Sequence, residues 1–154
     1  MNTLFLIQCR LGGKRLPNKC FLNFNSKTLI EWIYIRLKKL ESIGKLVVAI
    51  PDNKENDILE KFLNSKEIKT FRGSENDVVD RFYKAAKFYK ANVIIRICAD
   101  NPFVCKNEIT RLVDFYKHHN YDYCYNHRPF NNLYPDGLGA EICDIKILKK
   151  IYLN

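Results

Sequence analysis

Thr3-Leu4-Phe5-Leu6-Ile7-Gln8-Cys9 runs directly into Arg10-Leu11-Gly12-Gly13-Lys14-Arg15-Leu16-Pro17-Asn18-Lys19, and this junction decides the fold. The first part is a short, nearly continuous apolar run, the pattern of a strand buried on both faces of a parallel sheet. The second part is rich in turn formers and cations and does not continue that strand. Residues 45–51 and 92–98 repeat the apolar pattern. Between these runs the period becomes helical. Leu29, Trp32, Ile33, Leu37 and Leu40 share one face, with Thr28 and Glu31 spaced as a capping box. Ile58, Leu59, Phe62 and Leu63 mark a second helix, for which Asp52 and Glu55 are the candidate caps. A third covers about residues 76–89, and a fourth uses Ile109, Leu112, Val113 and Tyr116 with Asn107 as its cap. Shorter strands are expected near residues 68–71, 121–126 and 139–143, and a last helix from about Ile145.

The resulting order, β-loop-β-α-β-α-β-α-β-α-β, predicts an α/β protein: a three-layer α/β/α domain with a mainly parallel sheet. In such sheets ligands bind beyond the carboxyl ends of the strands, where strand order reverses. One domain over residues 1–154 is expected, since no repeat, low-complexity segment or linker interrupts the pattern.

Composition narrows the function. The 154 residues are 47% hydrophobic and 28% charged, which excludes a disordered tail, a fibre and a disulfide scaffold. No apolar run nears the ~20 residues of a membrane helix, and the opening stretch is too short for a secretory leader. A cytoplasmic protein without membrane insertion is expected. The net charge of +9 invites a polyanionic partner. Most of the excess is Lys scattered along the chain, and the Arg residues do not cluster on one helix, so nucleic acid is not the expected partner. Six cysteines form no CxxC pair, which argues for reduced thiols rather than zinc.

The loop carries the chemistry. Four cations and two adjacent glycines follow a buried strand within ten residues. Glycines let the backbone approach a ligand and turn several N–H groups toward one point. Arg offers a planar fork to phosphate oxygens and Lys a compact charge. Together they suit a triphosphate. The loop is neither a Walker A motif nor GxGxxG, and its bland alternative is a solvated basic connection.

The string Q-C-R-x-G-G-x-R-L-P-x-K resembles the opening of the cytidylyltransferases that make CMP-activated acidic sugars, and is most similar to the spore coat polysaccharide biosynthesis protein F group. Three further stretches resemble that group's later signatures, in family order: Phe71-Arg72-Gly73-Ser74-Glu75-Asn76-Asp77-Val78-Val79-Asp80-Arg81, Ile95-Arg96-Ile97-Cys98-Ala99-Asp100-Asn101-Pro102, and Tyr134-Pro135-Asp136-Gly137-Leu138. Gly13 stands where the family favours Ser, and Ala99-Asp100 where it favours Gly-Asp. The fourth signature continues Leu138-Gly139-Ala140-Glu141, where the family has Leu-Asp-x-Glu. Relatives also continue past position 154 into a strand and an acidic motif, so a chain truncated at its C-terminus is expected.

The resemblance implies a Rossmann-like nucleotidyltransferase fold and a CTP-dependent enzyme that forms a CMP-activated acidic sugar and releases pyrophosphate, for surface polysaccharide or glycan synthesis. It implies Arg10 and Lys19 as catalytic cations. Gln8, Arg10, Gly12, Gly13, Arg15, Lys19, Arg72, Ser74 and Asp77 would bind the nucleotide. Arg81, Asn126, Tyr134, Asp136 and Glu141 would border the pocket for an acidic sugar or sugar-phosphate acceptor. Asp100, at a strand's carboxyl edge, would hold Mg²⁺, an ion that takes oxygen ligands and bridges to phosphates. Plainer readings stand beside these: Asp100 as a turn before proline, Ser74 as an N-cap, Asp80 with Arg81 as an ion pair, Asp136 as a turn residue. A homodimer is the candidate assembly. The rival function is a non-catalytic CTP- or sugar-binding remnant, or a partner subunit of such an enzyme.

Overall fold

The computed structural model describes residues 1–13, 15–126 and 137–153. The chain begins with β1 (Thr3–Gln8), a small hairpin of β2 (Asn23–Phe24) and β3 (Lys27–Thr28), then α1 (Leu29–Lys38) and β4 (Gly44–Pro51). It continues through α2 (Asp57–Ser65), β5 (Thr70–Gly73), α3 (Val78–Phe88), β6 (Val93–Cys98) and α4 (Lys106–His118). Two short strands, β7 (Tyr123–Tyr125) and β8 (Glu141–Asp144), and α5 (Ile145–Tyr152) complete it.

Six strands form one sheet in the order β5-β4-β1-β6-β8-β7. β1 is parallel to β4 and to β6, and β4 is parallel to β5; β8 runs antiparallel to both β6 and β7. From β1 the chain moves outward through β4 to β5, then crosses to β6 on the opposite side of β1. Strand order therefore reverses between β1 and β6, and their carboxyl ends frame the crevice where α/β sheets bind ligands. Alternate residues feed two cores. Phe5, Ile7, Val48, Ile50 and Ile95 pack with α1, α2 and α4. Leu4, Leu6, Val47, Ala49 and Ile94 pack with Phe82, Ala85 and Ala86 of α3 and with Leu148 of α5. Each fully buried Leu, Ile or Phe contributes roughly 1.5–3 kcal/mol, so β1, buried on both faces, anchors the domain. Among the described residues no helix is long and apolar enough to cross a membrane.

Helix starts separate local from tertiary control. At α1 the capping box forms as expected: the Glu31 amide donates to Thr28 Oγ1 (3.4 Å) and the Thr28 amide to Glu31 Oε2 (2.8 Å). Asp52 and Glu55 do not cap α2. Asn53 caps a 3₁₀ turn (Lys54–Asn56) that leads into the helix, because Asp52 is paired with Arg72 and Glu55 lies over Gly12. The cap of α3 is Asp77, which accepts from the Asp80 amide at 2.9 Å, not Ser74, which accepts from the Asp77 amide at 3.1 Å in the preceding turn. Asn107 falls inside the first turn of α4; Cys105 takes the cap position, its amide tied to Leu138 O at 2.8 Å.

Candidate nucleotide site

Backbone ties bring the strand ends together. The Ala99 amide donates to Gln8 O (3.0 Å), joining the ends of β6 and β1, and the Asn101 amide donates back to Cys98 O (3.1 Å). This turn presents Asp100 beside the loop that follows β1. On the loop's other flank the Leu11 amide donates to Oδ1 of the buried Asn56 (2.9 Å). Gly12 follows with φ 74°, the left-handed region that favours glycine; the exposed Glu55 carboxylate stands 2.6 Å from where a Cβ would be and can swing aside. Asn18, with φ 53°, turns the chain into the short helix that carries Lys19. Lys19 Nζ then meets Asp100 Oδ2 at 2.6 Å, bridging the crevice.

Two adjoining cavities result. One of about 260 Å³ is lined by Gln8, Arg10, Arg15, Lys19, Arg96 and Asp100 together with Cys9, Cys20 and Cys98. The other, about 640 Å³, is lined by Arg10, Gly12, Gly13, Arg15, Leu16, Lys19 and Asp100. Three cations and one carboxylate thus surround a space of ligand size, suited to a polyanion. The Cys9 thiol donates to Cys20; that bond and burial raise Cys9, and the same bond lowers Cys20.

Arg96 also lines the smaller cavity, and a lone cation inside Val-Ile-Ile-Arg-Ile-Cys is the sequence signal that points to it. Its Nε donates to Gln8 Oε1 (2.8 Å), one terminal nitrogen pairs with Glu141 Oε1, and the other reaches Cys98 Sγ at 3.4 Å. It stands between the 260 Å³ cavity and a third, mainly apolar one of about 330 Å³ between α3 and α5. Tyr123, also on that third cavity, bonds Glu141; burial first, and then the Glu141 charge, push its phenol up to about 12.

The other expected site residues divide. Gln8, Arg10, Gly12, Gly13, Arg15, Lys19 and Asp100 gather around the crevice. Arg72 does not join them. It lies on β5, and its guanidinium is taken up by Asp52 (3.0 Å), Asp57 (2.8 Å) and Glu60 (2.8 Å), the last of which does most to raise its pKa. Ser74 and Asp77 serve the turn and cap of α3. Arg81 is 1% exposed and donates to Ser74 O at 2.5 Å; burial first, and the charge of Arg10 second, lower its pKa. Its expected pairing with Asp80 is replaced by Lys84–Asp80 at 2.7 Å, one helical turn apart. Asn126 is a buried pin, donating to Glu108 O (2.8 Å) and accepting from the Ala140 amide (3.0 Å). That pin explains Gly139, where a Cβ would fall 2.2 Å from Asn126 Oδ1 and leave no room for a side chain. Glu141 is held by Arg96. Tyr134 and Asp136 lie outside the described residues.

Known proteins resemble this chain in sequence and in fold. A family profile described as "Cytidylyltransferase" matches residues 4–132. An uncharacterized protein of Methanocaldococcus jannaschii is 36% identical over 154 residues, covering all of this chain and 61% of the relative. The spore coat polysaccharide biosynthesis protein SpsF of Bacillus subtilis is 36% identical over 126 residues, covering 79% of this chain and 52% of the relative. The chain thus spans between half and two thirds of the length of these curated relatives. A solved cytidylyltransferase structure from Leptospira borgpetersenii superposes with a TM-score of 0.90 at 28% identity, covering 99% of this chain and 64% of the other.

Proposed function

The chain belongs to the cytidylyltransferase family, and from that premise we propose that it binds CTP in the crevice between β1 and β6 and supports transfer of CMP to an acidic sugar or sugar-phosphate acceptor. An acceptor oxygen attacks the α-phosphorus, a hydroxyl acceptor giving up its proton to water, the bond to the oxygen that bridges the α- and β-phosphates breaks, and pyrophosphate leaves. Positioning and charge neutralisation drive such a step, with no covalent enzyme intermediate needed. Arg10 and Lys19 neutralise the triphosphate, and the amides of Gly12 and Gly13 approach it without a Cβ in the way. The observation that carries this reading is the ring of Arg10, Arg15 and Lys19 around the crevice, closed by Asp100.

Mg²⁺ fits this donor set. Among the described residues no group of three or more acidic, His or Cys side chains offers a protein-only metal cage. Magnesium on nucleotides needs little more than one carboxylate beside the phosphates. Asp100, half exposed at the cavity wall, would supply that carboxylate. The ion, when bound, withdraws charge from the phosphate oxygens. The product, a CMP-activated sugar, suits polysaccharide or glycan synthesis.

Thermal unfolding with each nucleotide tests the reading. CTP with Mg²⁺ is expected to raise the melting temperature more than ATP, GTP or UTP at equal concentration, through preferential binding to the folded chain. Equal shifts with all four, or none, would overturn it.

A further inference from the structure

We infer that Arg72, which lies outside the wall of the phosphate crevice, positions the glycine loop from behind and thereby sets affinity for the triphosphate. The inference rests on the reading of that loop as the triphosphate site.

A continuous set of bonds joins the two. Arg72 donates to Asn53 O at 2.8 Å and holds Asp52 and Asp57 on either side of it. Asn53 Oδ1 accepts from the Asn56 amide (3.1 Å) and from Asn56 Nδ2 (2.6 Å). Asn56, 1% exposed, turns its Oδ1 to the Leu11 amide at 2.9 Å. Glu55, in the same turn, lies over Gly12. The segment's other end is fixed to the sheet, where the Asp52 amide donates to Gly73 O at 2.7 Å.

Without the guanidinium fork, Asn53 O loses its charged donor, and Asp52, Asp57 and Glu60 lose the one group that draws them to a single point. The turn that carries Glu55 and Asn56 then loosens, and the backbone of Leu11 and Gly12 moves with it. Arg suits this task and Lys does not, because three acids and a carbonyl on separate sides call for a planar fork. Arg72 is thus a positioning residue, acting on phosphate through Asn53 and Asn56.

The test titrates the 154-residue chain with CTP and Mg²⁺, with inorganic tripolyphosphate and with CMP. Arg72→Lys is expected to weaken CTP and tripolyphosphate in parallel, by about 5–30-fold, as expected for a residue coupled to a site it does not touch. CMP affinity should change by less than about twofold, since the effect falls on the loop and not on the nucleoside. Asn53→Ala, which leaves the Arg72 contacts and the backbone bond from the Asn56 amide to Asn53 O (3.1 Å) in place but removes both side-chain bonds to Asn56, should reproduce the loss. The double variant should be no weaker than the worse single one. A lowered melting temperature with unchanged tripolyphosphate affinity overturns the inference, as do equal losses for CMP and tripolyphosphate or strictly additive losses in the double variant. Should Arg72→Lys not fold, Asn53→Ala decides alone. Lys19→Ala separates the two layers of argument. If Lys19→Ala weakens tripolyphosphate and Asn53→Ala does not, this inference fails alone; if Lys19→Ala changes nothing, the phosphate-loop reading fails and takes this inference with it.

Discussion

Two loops at the same edge of the sheet treat positive charge in opposite ways. After β1, three cations of the crevice share a single carboxylate, and Lys19 spans open space to reach it. Beside β4 and β5, one cation is enclosed by three carboxylates within 3.0 Å. Both regions lie at the carboxyl ends of parallel strands, and the family resemblance gives a cation of each to the nucleotide. The difference is the ratio of partners. Unneutralised charge is tolerated where water or a ligand reaches it, and charge drawn into the wall must be matched. A cation with room around it is placed to bind; a cation that is already saturated is placed to build.

The sharpest way to break this comparison is Lys19→Ala. Under the proposed reaction, loss of one preorganised cation is expected to lower pyrophosphate release from CTP with a panel of acidic sugars by ~10²–10³, about 3–4 kcal/mol. Unchanged turnover would mean that the exposed cations only solvate the loop. Gly12→Ala strikes the contact between the two regions, where φ is 74° and Glu55 stands 2.6 Å from any added Cβ. A stability loss of about 1–3 kcal/mol in urea unfolding is expected from the left-handed backbone alone, and Glu55→Ala in the same chain should restore little of it, since that carboxylate can swing aside. No loss would mean that the loop does not take the left-handed turn described. Asp100→Asn keeps the side chain's shape but removes its charge. It should weaken Mg²⁺-dependent CTP binding by about tenfold, or 1.4 kcal/mol, and leave stability within about 0.5 kcal/mol. Lost stability with intact Mg²⁺ dependence would make Asp100 a turn residue.

The smallest effect belongs to a site outside both loops and gives the baseline. Thr28→Ala opens the capping box of α1 and should cost about 1 kcal/mol of stability with no change in nucleotide affinity. Burial alone would raise the Glu31 carboxyl, but bonds from the Thr28 amide and hydroxyl and from Lys66 hold it below its ordinary value. With a folded value lower than the unfolded one, its contribution is complete above the unfolded pKa and is lost as pH falls through the folded one. Glu31→Gln should therefore flatten the acid side of the stability curve. A curve that keeps its slope would assign the acid sensitivity elsewhere.

What could be read from residues alone follows the range of the forces involved. The strands at β1, β4 and β6 were legible because burial on both faces leaves a nearly continuous apolar run, broken in β6 only by Arg96. The box at α1 was legible because both partners lie three residues apart. The caps of α2 and α4 were not, since distant groups decided them: Arg72 took Asp52, Gly12 lay beneath Glu55, and Leu138 fixed Cys105. The same limit governs the site. Gly12, Gly13 and the nearby cations are dense in sequence, and the strand-edge rule points to Asp100. Arg72 reads as a ligand group because its three acids come from a separate strand end and helix. Asn126, expected to border an acceptor, folds its amide onto Glu108 and Ala140, a contact that no local pattern encodes.

β1 also governs when the site comes into being. Its partners begin at Gly44 on one side and Val93 on the other, so it is complete only after both distant segments have returned to it. Contacts of such long sequence separation close slowly and late. During synthesis the amino-terminal glycine loop emerges first, yet it has no Asn56 to hold it and no Asp100 to face. A chain that has not yet delivered β6 carries the whole glycine loop and has no crevice.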